Sequence, residues 1–191
     1  MKPVRKPATY DDLLRVPEHK VAEILDGELF VSPRPASPHA RASARLGSDL
    51  MRAFDDPPDG DDAPGGWWLL IEPELHLGAD VLVPDLAGWR RSRMPTIPNV
   101  AAFTDAPDWV CEVLSPSTAR IDRARKTRIY AREGVAYFWV LDPIARTLET
   151  YRLADGSWVL MATYEGDGAI RAEPFGAVAL TMRRWWLESE K

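Results

Sequence analysis

The chain has 191 residues, 46% of them apolar and 28% charged, which suits a folded domain with a sizeable core and excludes a disordered or fibrous chain. A formal net charge of −5 argues against a surface coated throughout for nucleic acid, and the single Cys111 excludes an internal disulfide. No apolar run approaches the ~18 residues of a membrane span, and "MKPVRKPATYDD" has no apolar stretch after its basic residues, so a soluble cytoplasmic protein without a signal peptide is expected.

In chain order, "ATYDDLLRV" predicts a short helix capped by Thr9, with acids in its first turn. "KVAEILDGELFVSP" places two short apolar runs on either side of Asp26-Gly27, a strong hairpin signal. In "SPHARASARLGSDLMRAF" the residues Ala40, Ala44, Leu46, Leu50 and Phe54 recur at helical spacing after Ser37 and Pro38, which predicts the first long helix. The run "DDPPDGDD" carries five aspartates and no cation; it lacks the alternate-position spacing of a calcium loop and reads as a flexible linker. "GWWLLIEPELHL" and "ADVLVPDLAGW" read as a pair of strands joined around Gly78, with Pro84 demanding an edge or a bulge. "MPTIPNVAAFTDAPD" has little pattern and reads as loop.

"WVCEVLS" is a central strand, and "PSTARIDRARKTRIYAREG" a helix with Ser115 or Ser117 as cap and Gly134 at its stop. The apolar residues Ile121, Ala124 and Ile129 supply the side of that helix expected to face the sheet. "AYFWVLD" is a second buried strand; "TLETYRL" and "SWVLMATY" alternate like a peripheral hairpin, and "RRWWLES" closes the chain as a short helix. The expected organisation is one domain over 1–191, with a core of about 20–153 and a peripheral extension over 154–191.

Two acids sit inside apolar strands. Asp85 shares a strand face with Val81, Val83 and Ala87, and Glu112 shares one with Val110 and Leu114. A bare carboxylate there costs several kcal/mol unless it is paired or coordinated. Read alone, Asp85 after a proline is equally a strand-end residue, and Glu112 has many arginines with which to pair. Read together, two carboxylates on adjacent strands are a donor set for a hard divalent cation such as Mg2+ (or Mn2+), which can polarise a phosphate and generate hydroxide from bound water. The helix after Glu112 is strongly basic: "ARIDRARKTRIYAR" carries six cations against Asp122, where a polyanion would be tolerated. No phosphate-cradling glycine loop, Cys/His zinc spacing or nucleophile elbow is present.

The pairing of "VPD" (83–85) with "CEV" (111–113) resembles the PD-(D/E)XK nuclease superfamily. The wider set "AEILDGEL", "SPRPASPH", "VPDLAGW", "CEVLSPST", "DRARKTRIYAREGVAYFWVLDP" and "ETYRL" resembles its bacterial restriction-endonuclease domain family over roughly residues 9–153. The resemblance implies an α/β, restriction-endonuclease-like mixed β-sheet flanked by helices, with an N-terminal β-hairpin and a small C-terminal β extension. It also implies metal-dependent hydrolysis of phosphodiester bonds in nucleic acid, DNA in the first instance, with no membrane partner and room for a homodimer.

Asp85 and Glu112 would be the metal ligands. A standard E-X-K would place lysine at 114, where this chain has Leu114; the similar family carries the lysine on the following helix, which points to Lys126 as the catalytic cation. Glu23, in "AEILDGEL", would reach the metal or its waters, though a hairpin glutamate can also be simply exposed. His39 at the start of the first long helix, with Arg125 and Arg128, would contact substrate. The alternative is a nuclease-fold module that binds without turnover.

Overall fold

A computed structural model describes residues 6–55, 64–116 and 122–188. The aspartate run beyond Asp55, Ser117 and Ile121 lie outside the described residues. The chain opens with a one-turn helix, α1 (Tyr10–Leu14), held by a reciprocal capping box between Thr9 and Asp12. Strands β1 (Lys20–Leu25) and β2 (Glu28–Pro33) then form the hairpin expected at Asp26-Gly27, both of whose residues adopt positive φ. The long helix α2 (Ser37–Leu50) follows and ends in a π-helical turn, Met51–Asp55.

The two strands expected around Gly78 are each broken in two. The first divides into β3 (Trp67–Ile71) and β4 (Leu75–Leu77), and the second into β5 (Asp80–Leu82) and β6 (Leu86–Arg90). Each break holds a proline, Pro73 or Pro84, which cannot donate to a ladder. Glu72 turns at φ 48°, and its N–H donates to the Asp85 carbonyl at 3.1 Å, so the two breaks lie side by side. The tight end of this hairpin joins a four-stranded sheet, β2-β1-β5-β4, and its base joins a six-stranded one. The two sheets part at residues 72–74 and 83–85.

The larger sheet continues with β7 (Trp109–Val113), β8 (Tyr137–Asp142), β9 (Thr147–Ala154) and β10 (Ser157–Glu165), in the order β10-β9-β8-β7-β6-β3. Only β7 and β8 run parallel in it, connected through a π-helical turn, Asp122–Lys126, that leads into α3 (Thr127–Arg132). The hairpin expected at the periphery, β9 and β10, extends this sheet to its far edge. A short pair, β11 (Ala169–Ile170) and β12 (Leu180–Thr181), and a 3-10 turn, Met182–Trp185, complete the described chain.

Period-two alternation gives the large sheet two buried faces. On one, Trp109, Cys111 and Val113 of β7 pack with Trp139 and Leu141 under Ala42, Leu46 and Leu50 of α2 and the C-terminal Phe175 and Trp185. On the other, Val110, Leu114, Phe138 and Val140 pack beneath Ile129 and Tyr130 of α3 and beneath Leu25, Leu77 and Leu82 of the smaller sheet. The result is the expected mixed α/β architecture, with helices on both faces. None of the helices among the described residues is long and apolar enough to cross a membrane.

Candidate active site

Glu112 occupies the second of these faces. The pairing of Leu86 with Cys111 and of Ala87 with Val110 sets the register, which continues one step beyond β6 to bring Asp85 opposite Glu112. Asp85 sits at the fork between the sheets, where Pro84 has ended one ladder and β6 has yet to begin. Its Oδ2 accepts the Val113 N–H at 2.7 Å, and its Oδ1 lies 3.0 Å from His39 Nε2 at the start of α2.

Lys126 is 4% exposed. Its ammonium lies 2.9 Å from Glu23 Oε1 and 3.2 Å from Glu112 Oε2. Ala124 is exposed, contrary to the expectation from apolar spacing, and the inward side of the helical segment is Lys126, Ile129 and Tyr130. Lys126 and Tyr130 are four residues apart and share that side. The segment is held from outside: Trp158 Nε1 donates to the Thr127 carbonyl at 2.8 Å, and Arg132 reaches Asp80 at 2.5 Å. Asp80 in turn accepts the Asp26 N–H at 2.6 Å, which ties the helix end to the β1–β2 hairpin.

That hairpin delivers Glu23. Its side chain is buried, and Oε1 accepts the Val83 N–H at 2.8 Å as well as facing Lys126. The exposed alternative for this glutamate is therefore ruled out. Tyr130 completes the cluster: its hydroxyl donates to Glu112 Oε1 at 2.6 Å. Burial first, and the Glu112 carboxylate second, push this phenol well above its ordinary range, so it stays protonated and remains a donor.

Glu23, His39, Asp85, Glu112 and Lys126 thus line one cavity of about 50 Å³, together with Ser115 and Glu72. The two remaining candidates lie apart from it. Arg125 is turned to Glu28 at 2.9 Å and stacks over the Phe30 ring at 4.8 Å, so it braces the hairpin. Arg128 is 72% exposed and 3.5 Å from Asp26. Tyr130 and Ser115 were not singled out from sequence as site residues; the i, i+4 relation to Lys126 was the available signal for Tyr130.

Four carboxylates, Glu23, Glu72, Asp85 and Glu112, against one ammonium leave this cavity with negative charge in excess even when His39 is protonated. Uncompensated charge of that kind is costly away from water. All the charged oxygens are hard donors suited to a divalent cation, and the space exceeds the ~10–15 Å³ that one water requires. No group of three His, Cys, Asp or Glu side chains among the described residues forms a ready cage. A cation here would take Asp85 and Glu112 as its protein ligands and complete its shell with water, as Mg2+ usually does.

A family model described as Uma2, "Putative restriction endonuclease", matches residues 7–183 of the chain. Among solved structures, the chain is similar to one described as a "putative nuclease belonging to DUF820" from Anabaena variabilis. The identity is 22%, the TM-score is 0.71, and the match covers 94% of this chain and 97% of that one, which establishes a shared fold. No curated protein matches the chain.

Proposed function

The chain belongs to the Uma2 family, and from that membership and its buried acidic cluster we propose that it is a nuclease that hydrolyses phosphodiester bonds in DNA with a divalent cation held by Asp85 and Glu112. The observation that carries the reading is the convergence of Asp85, Glu112, Glu23 and Lys126 on one cavity from four separated stretches of chain. Bound there, Mg2+ or Mn2+ would supply Lewis-acid polarisation of a phosphate and a more acidic water.

The residues divide the remaining work. Lys126 places its ammonium between Glu23 and Glu112, where it can orient an attacking water and offset charge building on phosphate oxygens. Tyr130, fixed as a donor, holds the Glu112 carboxylate in one orientation while leaving lone pairs for a cation. His39 does the same for Asp85 and stands at the cavity wall, within reach of an incoming phosphate or water. Glu23 anchors Lys126 from the hairpin and can accept a proton from water.

Supercoiled plasmid incubated with the protein and Mg2+ or Mn2+ should be nicked or linearised, and EDTA should stop it. Glu112→Gln preserves shape and the Tyr130 contact but removes the charge. It should fold, bind Mg2+ far more weakly by calorimetry, and fail to cut. A Glu112→Gln protein that binds Mg2+ with native affinity would remove Glu112 from the site. Wild-type protein that binds Mg2+ and DNA yet never cuts would instead be a binding module on a nuclease fold.

A further inference from the structure

Away from the carboxylate cavity, the described surface carries a cleft of about 490 Å³ whose charge opposes that of the chain as a whole. Five arginines line it, Arg41, Arg45, Arg146, Arg183 and Arg184, against two carboxylates, Asp167 and Glu188. They come from α2, the turn after β8 and the C-terminal 3-10 turn, segments far apart in sequence.

Guanidinium groups gathered on one wall repel one another, so their orientation has to be held. Arg41 Nε donates to the Trp186 carbonyl at 3.1 Å, and Arg146 donates to the Leu187 carbonyl at 3.4 Å. The carbonyl fixes the Arg41 guanidinium without cancelling its charge, whereas Arg146 also faces the Asp167 carboxylate at 3.7 Å. Arg184 is held at 3.0 Å by Asp49, a buried carboxylate that also accepts from the Trp185 indole. Arg45 and Arg183 are exposed. The planar fork of arginine matches phosphate oxygens two at a time.

Two elements join this cleft to the carboxylate cavity. Helix α2 presents His39 to the cavity and, ~3 and ~9 Å further along its axis, Arg41 and Arg45 to the cleft. The β8–β9 turn presents Arg146 to the cleft and Ile144, 69% exposed, to an apolar groove of about 290 Å³. That groove shares Pro33, Pro35, His39 and Ser115 with the cavity, so these two depressions are continuous, and the β8–β9 turn, with Ile144 on the groove and Arg146 on the cleft, spans from the groove to the cleft.

We propose that the arginine cleft binds the phosphate backbone of DNA, and that a strand leaving the carboxylate cavity crosses the proline-lined groove to reach it. The choice of DNA rests on the nuclease reading above. The cleft supplies a local positive field on a protein whose net charge is −5.

The test uses the full chain and a fluorescently labelled DNA duplex of about 25 bp, in EDTA so that nothing is cut, with anisotropy followed across salt concentrations. Arg45→Glu/Arg183→Glu alters two exposed side chains, and its melting temperature checks the fold. Affinity should fall by at least about tenfold, and the slope of log K against log salt should become shallower by about 2, as for two lost phosphate contacts. Arg15→Glu/Arg152→Glu makes the same charge change outside the cleft and should stay within about twofold of wild type. Equal losses in the two double variants, or wild-type affinity in Arg45→Glu/Arg183→Glu, would overturn the proposal. Cleavage is read separately: binding through the cleft without cutting in Mg2+ or Mn2+ removes the nuclease reading and keeps the cleft. Cutting by Arg45→Glu/Arg183→Glu with unchanged KM keeps the nuclease reading and removes the cleft.

Discussion

In the proposed nuclease, Lys126 bears on both stability and chemistry. Its ammonium is the one cation within ion-pair distance of both Glu23 and Glu112 among the described residues, and all three side chains are nearly sealed from solvent. Breaking a buried ion pair from one side leaves the other charge uncompensated, at a cost of ~3–5 kcal/mol. Lys126→Met should therefore melt well below wild type; at ~2–4 °C per kcal/mol for a chain of this size, the drop is ~6–12 °C for the smaller figure. Removing one transition-state donor should also lower the cleavage rate by ~10²–10³. Added Mg2+ should raise the melting temperature of the variant more than that of wild type, because the cation then replaces a missing positive charge. Native cleavage by a variant that melts normally would make Lys126 a bystander. Lys126 was singled out through the family resemblance, which carries the lysine on the helix that follows the Glu112 strand. Its depth was not legible, because one cation among Arg120, Arg123, Arg125 and Arg128 carries no mark of which side of the helix turns inward.

At the level of elements, the hairpin at Asp26-Gly27, the helix from Ser37 and the strands around Cys111 and Trp139 follow from local chemistry: turn residues, a proline in the first helical turn and period-two apolar runs, although Ser37 itself is not the cap, which is Ala36 without a side-chain bond. The division of the Gly78 hairpin between two sheets does not. Pro73 and Pro84 announce interruptions, but the direction the chain takes afterwards is decided by distant partners, β1 for β5 and β7 for β6. Close approach at Gly88 shows how tightly β6 is then gripped. A Cβ there would lie 2.8 Å from Leu69 Cδ2, 3.2 Å from Trp67 and 3.3 Å from Trp109. The leucine end could shift, but the two indoles are large and buried. Gly88→Ala should therefore cost ~1–3 kcal/mol through overpacking. Calorimetric melting checks this, and an unchanged melting temperature would show that β6 has slack.

Across the whole molecule, chemistry is assembled where separate stretches meet. The candidate residues Asp85 and Glu112 were legible because a charge in an apolar run is conspicuous: they stand out against valine, leucine and cysteine, even though Asp85 lies in the break between β5 and β6 and only Glu112 is inside a strand. The arginine cleft was not, since Arg41, Arg45 and Arg183 look like ordinary solvated cations until the C-terminal segment folds back beside α2. Glu23 falls between the two cases. Its motif was noticed, but its burial depends on the smaller sheet closing over α3, which no local pattern encodes.

Cys111 offers a consequence of a different kind. Its thiol is fully buried, and burial first, then the neighbouring Asp85 and Glu112 charges, push its ionisation well above the ordinary range. Only the ionised sulfur attacks a disulfide reagent, so the thiol can react only when the sheet core opens. Its labelling rate is thus a clock for that opening, read from one atom next to the carboxylates. A cation that binds only the closed form at 100 times its Kd slows such a clock by about a hundredfold, or ~2.7 kcal/mol. Thiol labelling with and without Mg2+ should show that delay in wild type and not in Glu112→Gln. Fast labelling of the native protein, or labelling indifferent to Mg2+, would contradict the buried site. The cysteine thereby measures occupancy without any turnover.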